Sequence, residues 1–267
     1  MQPQSVSWKE PISAAVSGST QIGMLRPPGP EKTDPCLNSR SVANSKHRVM
    51  TQLVMGAEGQ DLSAGWEQYW KRPKRNKFQT QFKQNGGLVY IRNFLEKNDF
   101  SEVQKQCERL VGQCKPEKSS WATGRIGTYV PKGNPILEVL FSQSIANRLE
   151  SLTAVKGLYP SDYPVELRVY RSGSAMEWHA DDVLFAEPQM ELVYTVENSA
   201  ETRTQWRTRA GAIKEQWTEP NSLLIIEAGG AEHRVLPVKR GQRTILKMLF
   251  TTTNQKLSAY AETLGQY

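Results

Sequence analysis

Along the chain the spacing of apolar positions changes character near Gly157. Upstream, residues 98–111 carry Phe100, Val103, Cys107, Leu110 and Val111 at helical spacing, and Asn98 or Ser101 can cap the first turn. Residues 135–155 repeat the pattern with Ile136, Val139, Leu140, Ile145, Leu149 and Leu152 on one side, and Pro135 suits a first helical turn. Ahead of both helices, 87–95 reads as a first strand. Downstream the runs are short or alternating, at 166–170, 190–196, 205–209, 212–217, 222–226, 235–238 and 244–251, and Gly, Pro, Asn or Ser turns separate them. Many short strands with such turns predict a sandwich or barrel, not a parallel sheet. Helices followed by a β-rich half make an α+β arrangement around a jelly roll.

The flanks read differently. Residues 1–57 are rich in Ser, Thr, Pro and Gly, hold six Lys or Arg against three acids, and show no sustained hydrophobic period. Such a stretch buries too little apolar surface to offset its ordering entropy, so a disordered leader is expected. Its Ser-rich, acid-poor composition fits an organelle transit peptide as well as a plain extension. Residues 58–86 read as a basic, aromatic linker, 87–255 as the folded domain and 256–267 as a C-terminal tail.

Charge then localises one surface. The 267 residues carry a net charge of +7, and residues 68–95 hold seven Lys or Arg and no acid. A local basic patch is therefore a better description than a basic protein, and nucleic acid is one partner that 68–95 could meet. Three cysteines, Cys36, Cys107 and Cys114, form no CxxC pair, and the odd count favours a reducing compartment. Cys107 and Cys114 are expected as small buried hydrophobes. No apolar run is long enough for a membrane span or a secretory signal. The expectation is an intracellular protein of the cytoplasm or of a chloroplast or mitochondrion, with no membrane partner and its oligomeric state open.

Of three histidines, His47 falls in the leader, which leaves His179 and His233 for the folded domain. In Tyr170-Arg-Ser-Gly-Ser-Ala-Met-Glu-Trp-His179-Ala-Asp181, the His and Asp stand two apart, so an extended strand projects both from one face. His233 follows the apolar run 222–226 and the turn Ala228-Gly-Gly-Ala231, which can bring the chain back to the same barrel mouth. Two imidazoles and one carboxylate leave several positions free on an octahedral ion, which suits non-haem Fe(II) with a chelating co-substrate and O2; zinc prefers a tetrahedral set. Arg243, ten residues after His233, can clamp the distal carboxylate of 2-oxoglutarate through two parallel N–H bonds. Tyr170 can donate its hydroxyl to the same carboxylate.

Taken jointly, Tyr170 and Gly173, the His179-x-Asp181 pair, and His233 followed by Pro237, Val238, Gly241 and Arg243 make residues 166–250 resemble the iron(II)/2-oxoglutarate-dependent dioxygenases, most of all their prolyl 4-hydroxylase branch. The resemblance implies a double-stranded β-helix with N-terminal supporting helices. It implies His179, Asp181 and His233 as catalytic iron ligands, Arg243 and Tyr170 on 2-oxoglutarate, O2 as co-substrate and ascorbate as reductant. Two departures touch the substrate side: the branch's Gly-Gly-x-Thr is replaced near Ser199-Ala-Glu-Thr202, and Met176 stands where an aromatic is common. Trp178, Trp121 and Arg125 are expected as substrate-facing walls, with the Gly-bearing segment 119–130 either a lid or an ordinary surface hairpin. The activity implied is hydroxylation of a protein or peptide side chain, proline first. One alternative is a nucleic-acid demethylase of the AlkB type, against which stand Arg168 and Leu249 at positions where that family usually has Asn and Arg. Another is a jelly-roll binding module without catalysis.

Overall fold

In a computed structural model, the described residues are 76–118, 121–265 and 267. The expected leader, and the linker as far as residue 75, lie outside them. In chain order the elements are α1 (Lys77–Gln84), β1 (Leu88–Ile91), α2 (Lys97–Val111), β2 (Lys115–Pro116), β3 (Ala122–Thr123), β4 (Ile126–Tyr129), α3 (Pro135–Leu140) and α4 (Gln143–Thr153). They continue with β5 (Tyr159–Pro160), β6 (Glu166–Tyr170), β7 (Ala175–His179), β8 (Gln189–Asn198), β9 (Thr204–Arg207), β10 (Ile213–Gln216), β11 (Ser222–Glu227), β12 (His233–Val235), β13 (Arg243–Thr251) and α5 (Ala259–Thr263).

The strands form two sheets. The larger runs β1-β11-β8-β13-β6-β4-β2, with β5 joined to β13, and the smaller runs β10-β9-β12-β7-β3. From β6 onward the chain passes back and forth between them: β6, β8, β11 and β13 lie in the first, and β7, β9, β10 and β12 in the second. Every pairing is antiparallel, so this is the jelly roll that the strand spacing predicts.

Alternation along β13 shows how the large sheet divides its faces. Leu246, Met248 and Phe250 join the apolar cluster that also holds Val103, Cys107 and Leu110 of α2 and Ile145 and Leu149 of α4, so helices cover this face. Ile245 belongs to a separate cluster with Tyr170, Val235 and Val238. Arg243 and Lys247 share its parity and border a cleft between the sheets. One face of the sheet is thus a conventional core, and the other places charge inside the barrel.

Four boundaries differ from expectation. Residues 76–86, expected as the end of a linker, belong to the domain: Asn76 caps α1 by accepting from the Phe78 N–H at 3.0 Å, and Phe82 enters the core. Residues 135–155 are two helices, because Phe141 ends α3 and Ser142 adopts the extended backbone of an N-cap before α4; the apolar period continues across the break and hides it. The described part of segment 119–130, residues 121–130, is not a simple hairpin. Its β3 pairs with β7 in the small sheet and its β4 with β6 in the large one, and the crossing is made at Gly124, whose φ of +65° suits glycine. The expected tail 256–267 carries α5, and Tyr267 packs edge-on against Tyr129 with ring centroids 5.1 Å apart.

Cys107 is buried, and burial pushes its thiol up to about 12; Cys114 is half-buried, and both are free thiols. No helix among the described residues is long and apolar enough to cross a membrane. Phe250, fully buried and edge-on to Phe141 at 5.8 Å, ties the sheet to the break between α3 and α4. Phe250→Ala should lower the unfolding free energy by about 3–5 kcal/mol. Urea denaturation checks this, and a loss below about 1 kcal/mol would mean that the helices do not depend on that contact.

Candidate metal centre

Strands β7 and β12 are neighbours, and their register sets His179 directly opposite His233. The next pair is Val235 with Met176, so two steps on β12 match three on β7. That bulge changes which side chains point inward. Met176 and His179, three apart, both border the cleft, whereas Trp178 borders none of the described cavities. The guanidiniums of Arg207 and Arg234 stand over its ring, 4.5 and 4.7 Å from the centroid. Asp181 reaches the site by a different route from the one expected of an extended strand: β7 ends at His179, and the Gly229 N–H, donating to the Asp181 carbonyl at 2.9 Å, ties the following loop to the turn before His233.

The three side chains converge. One ligand atom from each of His179, Asp181 and His233 lies within 4.8 Å of the others. Asp181 Oδ1 is 4.0 Å from His179 Nε2, and Oδ2 is 3.6 Å from His233 Nε2. His179 Nδ1 lies 2.8 Å from the Glu177 carbonyl and His233 Nδ1 lies 3.1 Å from the Ala231 carbonyl. A carbonyl only accepts, so both protons sit on Nδ1 and both Nε2 lone pairs face the centre. His179 Nε2 and Asp181 Oδ2 are buried without a hydrogen-bond partner. Buried polar atoms left unpaired are costly, and a divalent cation held by His179, Asp181 and His233 would satisfy both.

The electrostatics agree with that use. Burial, with the neighbouring His233, lowers His179 to about 4, so its imidazole is neutral and available as a ligand. At Asp181 burial opposes ionisation, but Lys247, His233 and His179 outweigh it and hold the carboxyl below its usual range. Lys247 Nζ stands 3.5 Å from Asp181 Oδ1 and 2.7 Å from Glu191 Oε2, an ion pair inside the barrel. One carboxylate oxygen of Asp181 thereby meets a cation, and the other is left for the centre.

Behind the cluster, Arg243 begins β13 opposite Tyr170 of β6 and Asn198 of β8. It is wholly buried; Nη1 donates to Thr204 Oγ1 at 2.9 Å, while Nε has no partner. A buried guanidinium with an unused donor fits an anion in the cleft that it shares with His179, Asp181 and His233. The Tyr170 hydroxyl accepts from Arg125 Nη1, and Arg125 pairs with Glu117, so Arg125 is buried and engaged in an ion pair. Trp121 stands at the opening, 52% exposed, with its ring stacked on His179 at 6.4 Å and 23°.

Sequence reasoning passed over Lys247, Glu191, Glu117 and Thr204. A usable signal existed for the first two: each is a charge within an apolar strand, and Lys247 shares the parity of Arg243.

No protein-family model matches this chain, and neither does any curated protein. Solved structures do. A prolyl-4-hydroxylase from Pseudomonas putida aligns with a TM-score of 0.54 at 15% identity, over 66% of this chain and 97% of that one. A prolyl hydroxylase from Trichoplax adhaerens, solved with a hypoxia inducible factor peptide fragment, gives 0.52 at 14% identity, over 70% and 93%. The non-heme alpha ketoglutarate dependent epimerase SnoN from nogalamycin biosynthesis gives 0.56 at 9% identity, over 72% and 88%.

The fold is the double-stranded β-helix of the 2-oxoglutarate/Fe(II) oxygenases. Hydroxylases and an epimerase share it, so likeness of fold alone selects no reaction.

In the metal-free protein His179 takes up its proton only near pH 4, whereas in the unfolded chain it does so near 6.5. The unfolded state therefore binds the proton first, and this group withdraws stability as pH falls from about 6.5 to about 4. An NMR titration of the His179 ring should show its midpoint near 4. A midpoint near 6.5 would contradict the burial that causes the shift.

Proposed function

We propose that this chain is an Fe(II)- and 2-oxoglutarate-dependent oxygenase, with His179, Asp181 and His233 holding the iron. The observation that carries the reading is the convergence of His179, Asp181 and His233, with His179 Nε2 and Asp181 Oδ2 buried without hydrogen-bond partners and the incompletely used guanidinium of Arg243 behind them. When bound, iron with O2 and 2-oxoglutarate supplies an oxidant for an unactivated C–H bond, and the co-substrate is decarboxylated to succinate.

The protein's own residues do the rest. The two imidazoles bind through Nε2, oriented by backbone carbonyls. Lys247 occupies Asp181 Oδ1 and so turns Oδ2 to the metal. Arg243 Nε, with Nη2 beside it, presents two parallel donors to the distal carboxylate of 2-oxoglutarate, while Nη1 donates to Thr204 and steadies the guanidinium. Tyr170, hydrogen-bonded to Arg125, forms the wall beside it. Apolar residues Val193, Leu224, Ile226 and Ile245 line the same cleft and limit water around the reacting groups.

The acceptor favoured by the resemblance is a protein or peptide side chain, proline first, with ascorbate maintaining the iron. A nucleic-acid demethylase is less well supported: Arg168 is tied to Glu166 and Glu117, and Leu249 sits in an apolar cluster. A binding module without catalysis gives no use to the partnerless ligand atoms.

Succinate formation from 2-oxoglutarate with Fe(II) tests the reading. His179→Ala and Asp181→Ala should abolish it, and Arg243→Ala should raise the KM for 2-oxoglutarate by roughly 30-fold or more, the loss of about 2 kcal/mol or more expected when a buried charge pair loses one partner. Iron-independent turnover, or full activity in either ligand variant, would overturn the assignment.

A further inference from the structure

Beside the metal cluster a cavity of about 210 Å³ opens, bordered by His179 and Asp181 and walled in part by Trp121, Arg125, Arg168 and Lys247. That is smaller than the roughly 300–1,000 Å³ typical of sites for drug-sized ligands, and it suits a molecule of single-residue size.

The segment after β13 supplies one wall. Thr263 borders the cavity, and its carbonyl accepts from the Tyr163 hydroxyl at 3.0 Å. Tyr260 anchors α5 by standing edge-on to Tyr163 and to Phe185, each at 5.6 Å. The Gly265 N–H donates to the Tyr129 hydroxyl at 3.0 Å. The Tyr267 ring fills the space over Gly127, where a Cβ would come within 2.6 Å of the phenol oxygen. That oxygen accepts from Arg168 Nε at 3.2 Å, so Tyr267 braces a residue of the cavity wall.

The wall chemistry is ionic. Arg125 and Arg168 pair with Glu117, and Lys247 pairs with Glu191. Lys118 and Asp182, both exposed and both bordering the cavity, have side chains with no ion-pair or hydrogen-bond partner among the described residues. An uncharged ring pressed against these walls removes water from charged groups and returns nothing. A molecule with its own ammonium and carboxylate replaces that water with charge-assisted hydrogen bonds.

We propose that the cavity takes a free amino acid in place of the protein or peptide side chain that the resemblance implies, with Lys118 meeting its carboxylate and Asp182 its ammonium, and that residues 259–265 and 267, through Thr263 and Tyr267, form the wall that excludes an internal residue of a polypeptide. The chemistry rests on the oxygenase reading, but the binding does not. In the balanced reaction one atom of O2 enters an acceptor C–H bond to give C–OH. The other enters succinate, and 2-oxoglutarate supplies two electrons and loses CO2.

The test is ligand-observed saturation-transfer NMR on the full chain, followed by mass spectrometry after incubation with Fe(II), 2-oxoglutarate and O2. Each free amino acid is compared with its N-acetyl amide and with a capped tripeptide carrying the same residue internally. The free forms should bind and the capped forms should not, with the gain of one oxygen confined to a free form. Lys118→Met, a change at an exposed position, should weaken the free form about tenfold and leave the capped forms unaffected. Tyr267→Ala should admit the capped tripeptide; if that variant fails to fold, Lys118→Met and Asp182→Asn decide the matter. Capped peptides that bind the parent as well as free amino acids, or unchanged selectivity in the folded variants, overturn the proposal. Selective binding of free forms without iron-dependent succinate supports it and overturns the oxygenase reading instead.

Discussion

The register between β7 and β12 is the constraint on which the rest depends. It faces His179 with His233, and the bulge that follows turns Met176 inward and Trp178 outward. Strand pairing alone brings two imidazoles to one point, and their carbonyl partners fix which nitrogen is free. A slip of one residue would exchange the inner and outer faces of the strand and dissolve the site. The Asp181 carbonyl, held by the Gly229 N–H, extends the same constraint to the third ligand.

A second theme is how charge is kept inside a barrel. Arg168, Lys247, Glu166, Glu191 and Arg243 are carried inward by β6, β8 and β13, whose opposite faces pack against helices. Burying an isolated charge is prohibitive, so the first four are paired: Lys247 with Glu191 and Asp181, and Arg168 with Glu117 and Glu166. Arg243 departs from this pattern, with Thr204 on one nitrogen and an unused Nε. A buried cation so incompletely satisfied is best explained by a ligand that completes it.

Much of this was legible in the chain. Alternation located the strands because one face of the large sheet is apolar and packed, which stamps a period of two on the sequence. His179, Asp181, His233 and Arg243 stood out through their joint offsets: a His and an Asp two apart, a second His beyond an apolar run and a turn, and an Arg ten residues after it. The break at Ser142 was hidden, since both helices press the same side on one core and the period runs through. The outward turn of Trp178 was hidden too, because a bulge depends on the partner strand and leaves no local trace. The last residues looked like a tail because their few apolar side chains find partners only through the tertiary fold, as Tyr267 does over Gly127.

The most direct test is a crystal structure of the protein with Mn(II) in place of iron and with 2-oxoglutarate, grown without oxygen. One ion bound by His179 Nε2, Asp181 Oδ2 and His233 Nε2, with the far carboxylate of 2-oxoglutarate on Arg243, is the predicted result. An ion bound elsewhere, or a co-substrate that leaves the Arg243 guanidinium untouched, would contradict the account.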